Sequence, residues 1–263
     1  MTRYLRLVWI QLRVSAASAM AYRANFLAQG AMALIFIALT VVPLLVAFGG
    51  TPQIAPGWDA ASAFVVMSYF MTVRAILEGV TSPSIVDLVE RIRTGAFDYV
   101  LLKPADAQFM VSSSRYEPWK IFDLLGGIGV GVYGFMLRGT PPAPQDLALG
   151  ILLLFSGVLA MYAMWIICAA ASFWVVRLDN LVYLLGAIFD VARWPIQVFR
   201  GLWRIVFTFI IPVAVMTTFP AMAILGRLDM KHVLATLGGT VVLLLISRAV
   251  WNLAIRNYTS ASS

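Results

Sequence analysis

The chain has 263 residues, 62% hydrophobic and 12% charged, with a net charge of +7 from 19 Lys+Arg against 12 Asp+Glu. A soluble domain carries about 25% charge, so this chain holds more apolar surface than one water-soluble core can hide and reads as an integral membrane protein. Its basic residues flank apolar runs and form no basic, aromatic-interleaved surface, which argues for lipid headgroups and topology and against a nucleic-acid partner.

The N-terminal stretch places Arg3, Arg6 and Arg13 within roughly an 80° arc of a helix, with Leu5, Val8 and Leu12 away from them. Residues 1–24 are therefore expected to form an amphipathic helix lying on the membrane surface. The first long apolar run begins near Asn25, is too long for a signal-peptide core and lacks a cleavage site, so it reads as a retained helix.

A helical span takes about 20 mostly apolar residues. Six stretches meet that length: Phe26–Phe48, Ala60–Val80, Trp119–Leu137, Leu147–Val176, one starting near Leu181, and Val233–Ile255. With a cytoplasmic N-terminus, twelve basic residues fall inside: Arg3, Arg6, Arg13, Arg23, Arg91, Arg93, Lys103, Arg115, Lys120, Arg177, Arg248 and Arg256. Six fall outside: Arg138, Arg193, Arg200, Arg204, Arg227 and Lys231. The excess places both termini inside. The Pro-rich loops Gly49–Asp59 and Arg138–Asp146 then face out.

Between the second and third spans, residues 81–118 form a cytoplasmic region with readable grammar. Ser82-Pro83 reads as a helix start. Asp87 and Arg91 stand at i,i+4 spacing, and Gly95 is placed to end that helix in a left-handed conformation. "AFDYVLL" is too short to span and Lys103-Pro104 stops it. This predicts a short amphipathic helix with Phe97, Leu101 and either Val100 or Leu102 on one face, and Asp98 and Lys103 in water. An apolar face rimmed by charge is a docking feature.

In the third span, Gly127 and Gly131 stand at small-xxx-small spacing, which admits a close helix neighbour from this chain or a second one. Before the last span, residues 193–230 carry Pro195, Pro212 and Pro220, and Ile205–Leu225 is apolar but broken. With six spans and the C-terminus inside, this segment is expected to be a re-entrant helical hairpin on the outer side; a seventh crossing would put the C-terminus outside.

Enzyme chemistry finds little support. The lone His232 lies near the outer edge of the last span, with no Gly-x-Ser-x-Gly elbow, no His-Glu-x-x-His motif and no Cys/His cluster. The lone Cys168 reads as a small buried hydrophobe. There is no phosphate-binding loop, and "GGIGVG" lies in a span with no preceding strand. Charges inside spans are functional candidates. Arg74 and Glu78 are four apart in the second span, and Asp190 has Arg193 one turn on; both pairs are candidates to border a substrate pathway.

This arrangement resembles the permease subunits of ATP-binding-cassette type-2 (ABC-2) exporters of about 260 residues, which pair with a separate ATPase. "RTGAFDYVLLKP" is similar to that family's element after the second span, at Gly95, Asp98, Leu101, Leu102 and Pro104. The pre-span helix and the outer Pro-containing segment resemble the family's connecting helix and pre-terminal segment. The resemblance implies an all-α polytopic membrane protein, a single permease domain over 1–263, in a bacterial inner membrane. It implies a homo- or heterodimer bound to two cytosolic ATPase subunits, with ATP and Mg on those partners and no cofactor on this chain. The short helix would be the coupling helix, with Phe97, Asp98, Leu101 and Leu102 in the ATPase contact. The second and fifth spans would border the substrate path. A secondary transporter and a non-transporting scaffold are the alternatives; no convincing inverted repeat or cluster of midplane charge favours the former.

Overall fold

A computed structural model describes residues 2–50, 53, 55–174, 186–187 and 189–258. The described residues are helices and connecting turns, with only an isolated bridge between Ala55 and Trp58. Helix α1 (Thr2–Ala21) is separated from α2 (Arg23–Gly50) by a turn at Tyr22. Then come α3 (Ala60–Arg93), the short α4 (Asp98–Leu101) and α5 (Ala107–Ser112), α6 (Pro118–Arg138) and α7 (Pro144–Ala171). Beyond 189 lie single turns at Asp190–Arg193 and Ile196–Val198, then α8 (Leu202–Ile205), α9 (Ala214–Ile224) and α10 (Met230–Arg256).

Among the described residues five helices are long and apolar enough to cross a membrane: α2, α3, α6, α7 and α10. That is one fewer than the six expected. The span expected from Leu181 begins on 181–185 and 188, outside the described residues; its described remainder beyond 189 is no continuous helix but single 3-10 turns at Asp190–Arg193 and Ile196–Val198.

Helix α3 is the hub. It buries 78% of its most apolar window, against 17% for α2 and 22% for α10. Asp59 starts it by accepting from the Ser62 backbone N–H at 3.0 Å. The glycines of α6 explain why the two helices lie so close. A Cβ on Gly127 would come within 2.9 Å of Thr72 Oγ1, and one on Gly131 within 2.5 Å of Ser68 Oγ. The small-residue stripe therefore faces α3 of the same chain.

The expected helix start at Ser82-Pro83 is corrected. Here α3 continues from Ile76 through a π-helical turn, Leu77–Thr81, and on to Arg93. Pro83 has no N–H, which strips the Gly79 carbonyl of its helical partner. That carbonyl accepts instead from the Glu117 backbone N–H at 2.8 Å. With a partner supplied from outside, the helix need not stop at the proline.

Residues 202–225 form two short pieces. Helix α8 runs into a π-helical turn, Val206–Ile210, and the chain breaks at Ile211, which precedes Pro212 and is extended. Helix α9 then packs along α7. Met216 meets the middle of α7 at Gly157, where a Cβ would sit 2.8 Å from the Met216 Cα, and Ile224 meets α7 at Gly150.

The bundle has two distinct ends. At one, Arg227 donates to the Gly57 carbonyl at 2.8 Å and Arg138 to the Leu225 carbonyl at 3.3 Å. At the other, Tyr4 packs edge-on to Phe109, Gln11 donates to the Ser114 carbonyl, and Tyr258 packs on Phe97. Both ends of the described chain thus sit with residues 94–117.

Candidate functional site

The four charged residues singled out in the spans form one chain of contacts. Arg74 Nε donates to Glu78 Oε1 at 2.7 Å, one turn along α3. Its Nη1 donates to Asp190 Oδ1, also at 2.7 Å, across 116 positions. Arg193 closes on the same oxygen at 3.4 Å, and its Nε donates to the Asp190 carbonyl at 2.9 Å. The expected pairs, Arg74–Glu78 and Asp190–Arg193, are therefore joined through Arg74.

Two further charges belong to it. Lys120, at the start of α6, donates to Glu78 Oε2 at 2.6 Å and to Asp123 Oδ2 at 3.1 Å. Three cations and three carboxylates then balance. The Arg74 guanidinium also lies 4.5 Å from the Phe36 ring centroid and 5.9 Å from that of Phe70. Arg74 thus ties α2, α3 and the 190–193 turn, and Lys120 adds the start of α6 through Glu78. The charges remain partly exposed, 14% to 38% by side chain. Sequence reasoning missed Lys120 because it lies 42 positions from Glu78 and reads as an ordinary span-flanking lysine.

The second site is the short helix after α3. Gly95 takes a φ of +75°, as its position predicts, and the Phe97 N–H returns to the Arg91 carbonyl. Asp98–Leu101 is one helical turn, ended by the turn that precedes Pro104. The expected apolar face is corrected. Phe97 is fully buried, and Val100 is buried with it. Phe97 meets Phe173, Trp251 and Tyr258 edge-to-face, at centroid distances of 5.3, 6.2 and 5.3 Å. The apolar surface left facing out is Tyr99, Leu101 and Leu102, with Leu102 80% exposed. Sequence spacing could not tell which side of so short a turn would be claimed, because the aromatics that claim it lie 76 or more positions away.

A polar brace lies beside this helix. Arg248 of α10 donates to the Asp106 carboxylate and, at 2.8 Å, to Gln108 Oε1. Gln108 Nε2 donates to the Tyr162 hydroxyl of α7 at 3.2 Å, and that hydroxyl also pairs with Ser112 at 2.8 Å. Burial pushes the Asp106 carboxyl up, but hydrogen bonds from Arg248 and the Phe109 backbone N–H outweigh it and hold it below the usual carboxylate range.

Among the described residues no group of three or more His, Cys, Asp or Glu is placed to hold a metal ion. His232 is 57% exposed by side chain and lies 3.9 Å from Asp229, with its ring 6.1 Å from that of Phe219. Cys168, expected to be a small buried hydrophobe, is half-buried against the core.

The model of the family described as "ABC-2 family transporter protein" matches residues 34–262. The chain belongs to the ABC-2 transporter family. No curated protein and no solved structure matches it. This ABC-2 protein is therefore a multi-pass membrane component of a transport system. The match starts inside α2 and covers both the charge chain and the anchored short helix, but not α1.

Proposed function

We propose that this ABC-2 chain is the permease half of an ATP-driven exporter, working as a homo- or heterodimer with two cytosolic ATPase subunits. Its termini and residues 81–118 face the cytoplasm of a bacterial inner membrane, α1 lies along the membrane surface, and residues 202–225 dip into the membrane from the other side. The single observation that supports this reading is the short helix itself. Its apolar residues divide: Phe97 and Val100 face inward, while Tyr99, Leu101 and Leu102 stand out from the bundle end. A loop with no partner has no use for two adjacent exposed leucines.

The anchored side explains how docking would act on the membrane part. A push on Leu101 and Leu102 reaches α10 through Trp251 and the end of α7 through Phe173. The Arg248 brace joins the same two helices to residues 106–112. Energy from ATP bound on the partner enters through contacts that differ between two states of the dimer. The charge chain at Arg74, Glu78, Asp190 and Arg193 borders the substrate path and re-pairs as α3 shifts against the 190–193 turn.

Copurification tests the reading. The full chain, tagged and expressed with the ATPase from a neighbouring reading frame, should retain it. Leu101→Asp with Leu102→Asp should lose it without changing the yield of folded permease. Vectorial transport by the purified chain alone, driven by an ion gradient, would refute the proposal.

A further inference from the structure

A cavity of about 820 Å³ lies between α10, the α8–α9 segment and the turn at Ile196–Val198, away from both sites above. Its walls are mostly apolar. It follows α10 from His232 to Ile246, about 21 Å at 1.5 Å per residue. That exceeds the roughly 15 Å of hydrocarbon in one leaflet.

Among the described residues two polar atoms in this wall are buried without a partner. Thr236 is only 3% exposed, and its hydroxyl has no hydrogen bond. One turn on, Thr240 bonds the Ser156 hydroxyl at 2.8 Å, so the bare Thr236 is not the habit of this helix face. Gln197 Oε1 is the second orphan; its amide nitrogen reaches only the Met222 sulfur, at 3.7 Å. An unsatisfied buried polar atom carries a penalty that a ligand group would remove. Arg204 also lines the cavity, is exposed, and has no carboxylate partner among the described residues. Beside it, Trp203 is 62% exposed and stacks on Phe207, the kind of aromatic that settles at headgroup level.

We propose that this cavity binds an anionic glycerophospholipid of the surrounding bilayer. One acyl chain lies along α10 toward Ile246. The Thr236 hydroxyl donates to an ester carbonyl, Gln197 Oε1 accepts from a headgroup hydroxyl, and Arg204 pairs with the phosphate. A hydroxylated headgroup such as glycerol satisfies all three groups; a choline headgroup leaves Gln197 bare. The occupant is a bilayer lipid and not a soluble anion, because the cavity is apolar along most of its length and the helix bordering it is a membrane-spanning one.

The test uses the purified full chain in phosphatidylcholine nanodiscs containing phosphatidylglycerol with a diazirine on one acyl chain. Mass spectrometry should place the label on α10 between Thr236 and Ile246. Thr236→Val and Arg204→Gln should each reduce that label about tenfold, the loss of one hydrogen bond or charge pair. Gly239→Phe should abolish it by plugging the groove; a Cβ there meets nothing within 4 Å, so the fold should tolerate the change. Each variant is first shown to unfold at the wild-type temperature. Equal labelling by a phosphatidylcholine probe, or wild-type labelling of Gly239→Phe, would overturn the proposal. So would a copurifying amphiphile that phosphatidylglycerol fails to displace. None of these outcomes depends on an ATPase partner.

Discussion

Arg74 is the residue on which the charge chain turns, because it joins Glu78 of its own helix to Asp190, 116 positions away. Breaking a fully buried pair costs about 3–5 kcal/mol. Here the side chains keep 26% to 38% exposure, so Arg74→Leu should cost nearer to about 2 kcal/mol. Arg193→Leu should cost less than about 1 kcal/mol, since its charge contact is longer, at 3.4 Å, and Arg74 still holds Asp190. Thermal unfolding of the purified variants would rank them, and the reverse order would show that Arg74 is not the junction. Asp106 offers a pH test. Its folded pKa lies below the ordinary 3.8, so its contribution is present above that value and is lost as pH falls through the depressed folded pKa. The protection of the 106–112 amides, their exchange measured relative to the intrinsic rate at each pH, should be unchanged from pH 7 to pH 5 and should fall only below about pH 3.8, and Asp106→Asn should show the lower protection at every pH.

At the scale of elements, the short helix splits stability from docking. Phe97→Ala empties the centre of an aromatic cluster and should cost about 3 kcal/mol. Leu102→Asp alters a surface position and should stay within about 0.5 kcal/mol of wild type. If the ATPase is lost with Leu102→Asp while unfolding is unchanged, contact and anchor are separate. If Phe97→Ala leaves unfolding unchanged, the cluster is not an anchor. The α3–α6 contact makes a second prediction. Gly131→Leu forces a side chain into Ser68 and should separate the helices, at a cost of 2 kcal/mol or more, on the order of a severe overpacking. Gly129→Leu, where a Cβ meets nothing within 4 Å, should be near neutral in the same unfolding measurement.

Across the whole molecule, the contacts place both described ends of the chain with residues 94–117, and the 57, 138 and 225–227 region opposite. In a Cys168→Ser background, Thr94→Cys and Gln145→Cys should label from opposite faces of the membrane, with Asn257→Cys behaving like Thr94→Cys. Labelling of Thr94→Cys and Gln145→Cys from the same face would break this arrangement.

Much of the architecture was legible along the chain because it rests on local rules. Apolar length marked α2, α6, α7 and α10 within a few residues of their observed bounds, and the start of α3, though α3 runs on past the expected Val80 to Arg93. Gly95 announced its left-handed turn, since a residue without a Cβ adopts it freely. Arg74 and Glu78 were readable as a pair because helical spacing alone brings them together. The family resemblance, too, lay in short local patterns. What only the tertiary structure decided was every question of which distant partner a residue meets. Pro83 reads as a helix start, yet α3 runs through it because Glu117 supplies the missing partner for Gly79. Phe97 reads as part of an exposed face, yet Trp251 and Tyr258 close over it. Lys120 joins Glu78, Asp190 joins Arg74, and Gly127 and Gly131 of α6 choose α3 of their own chain. Periodicity reports which face of a helix is apolar or charged; it carries no information on what covers that face, because that depends on packing between segments far apart in the chain.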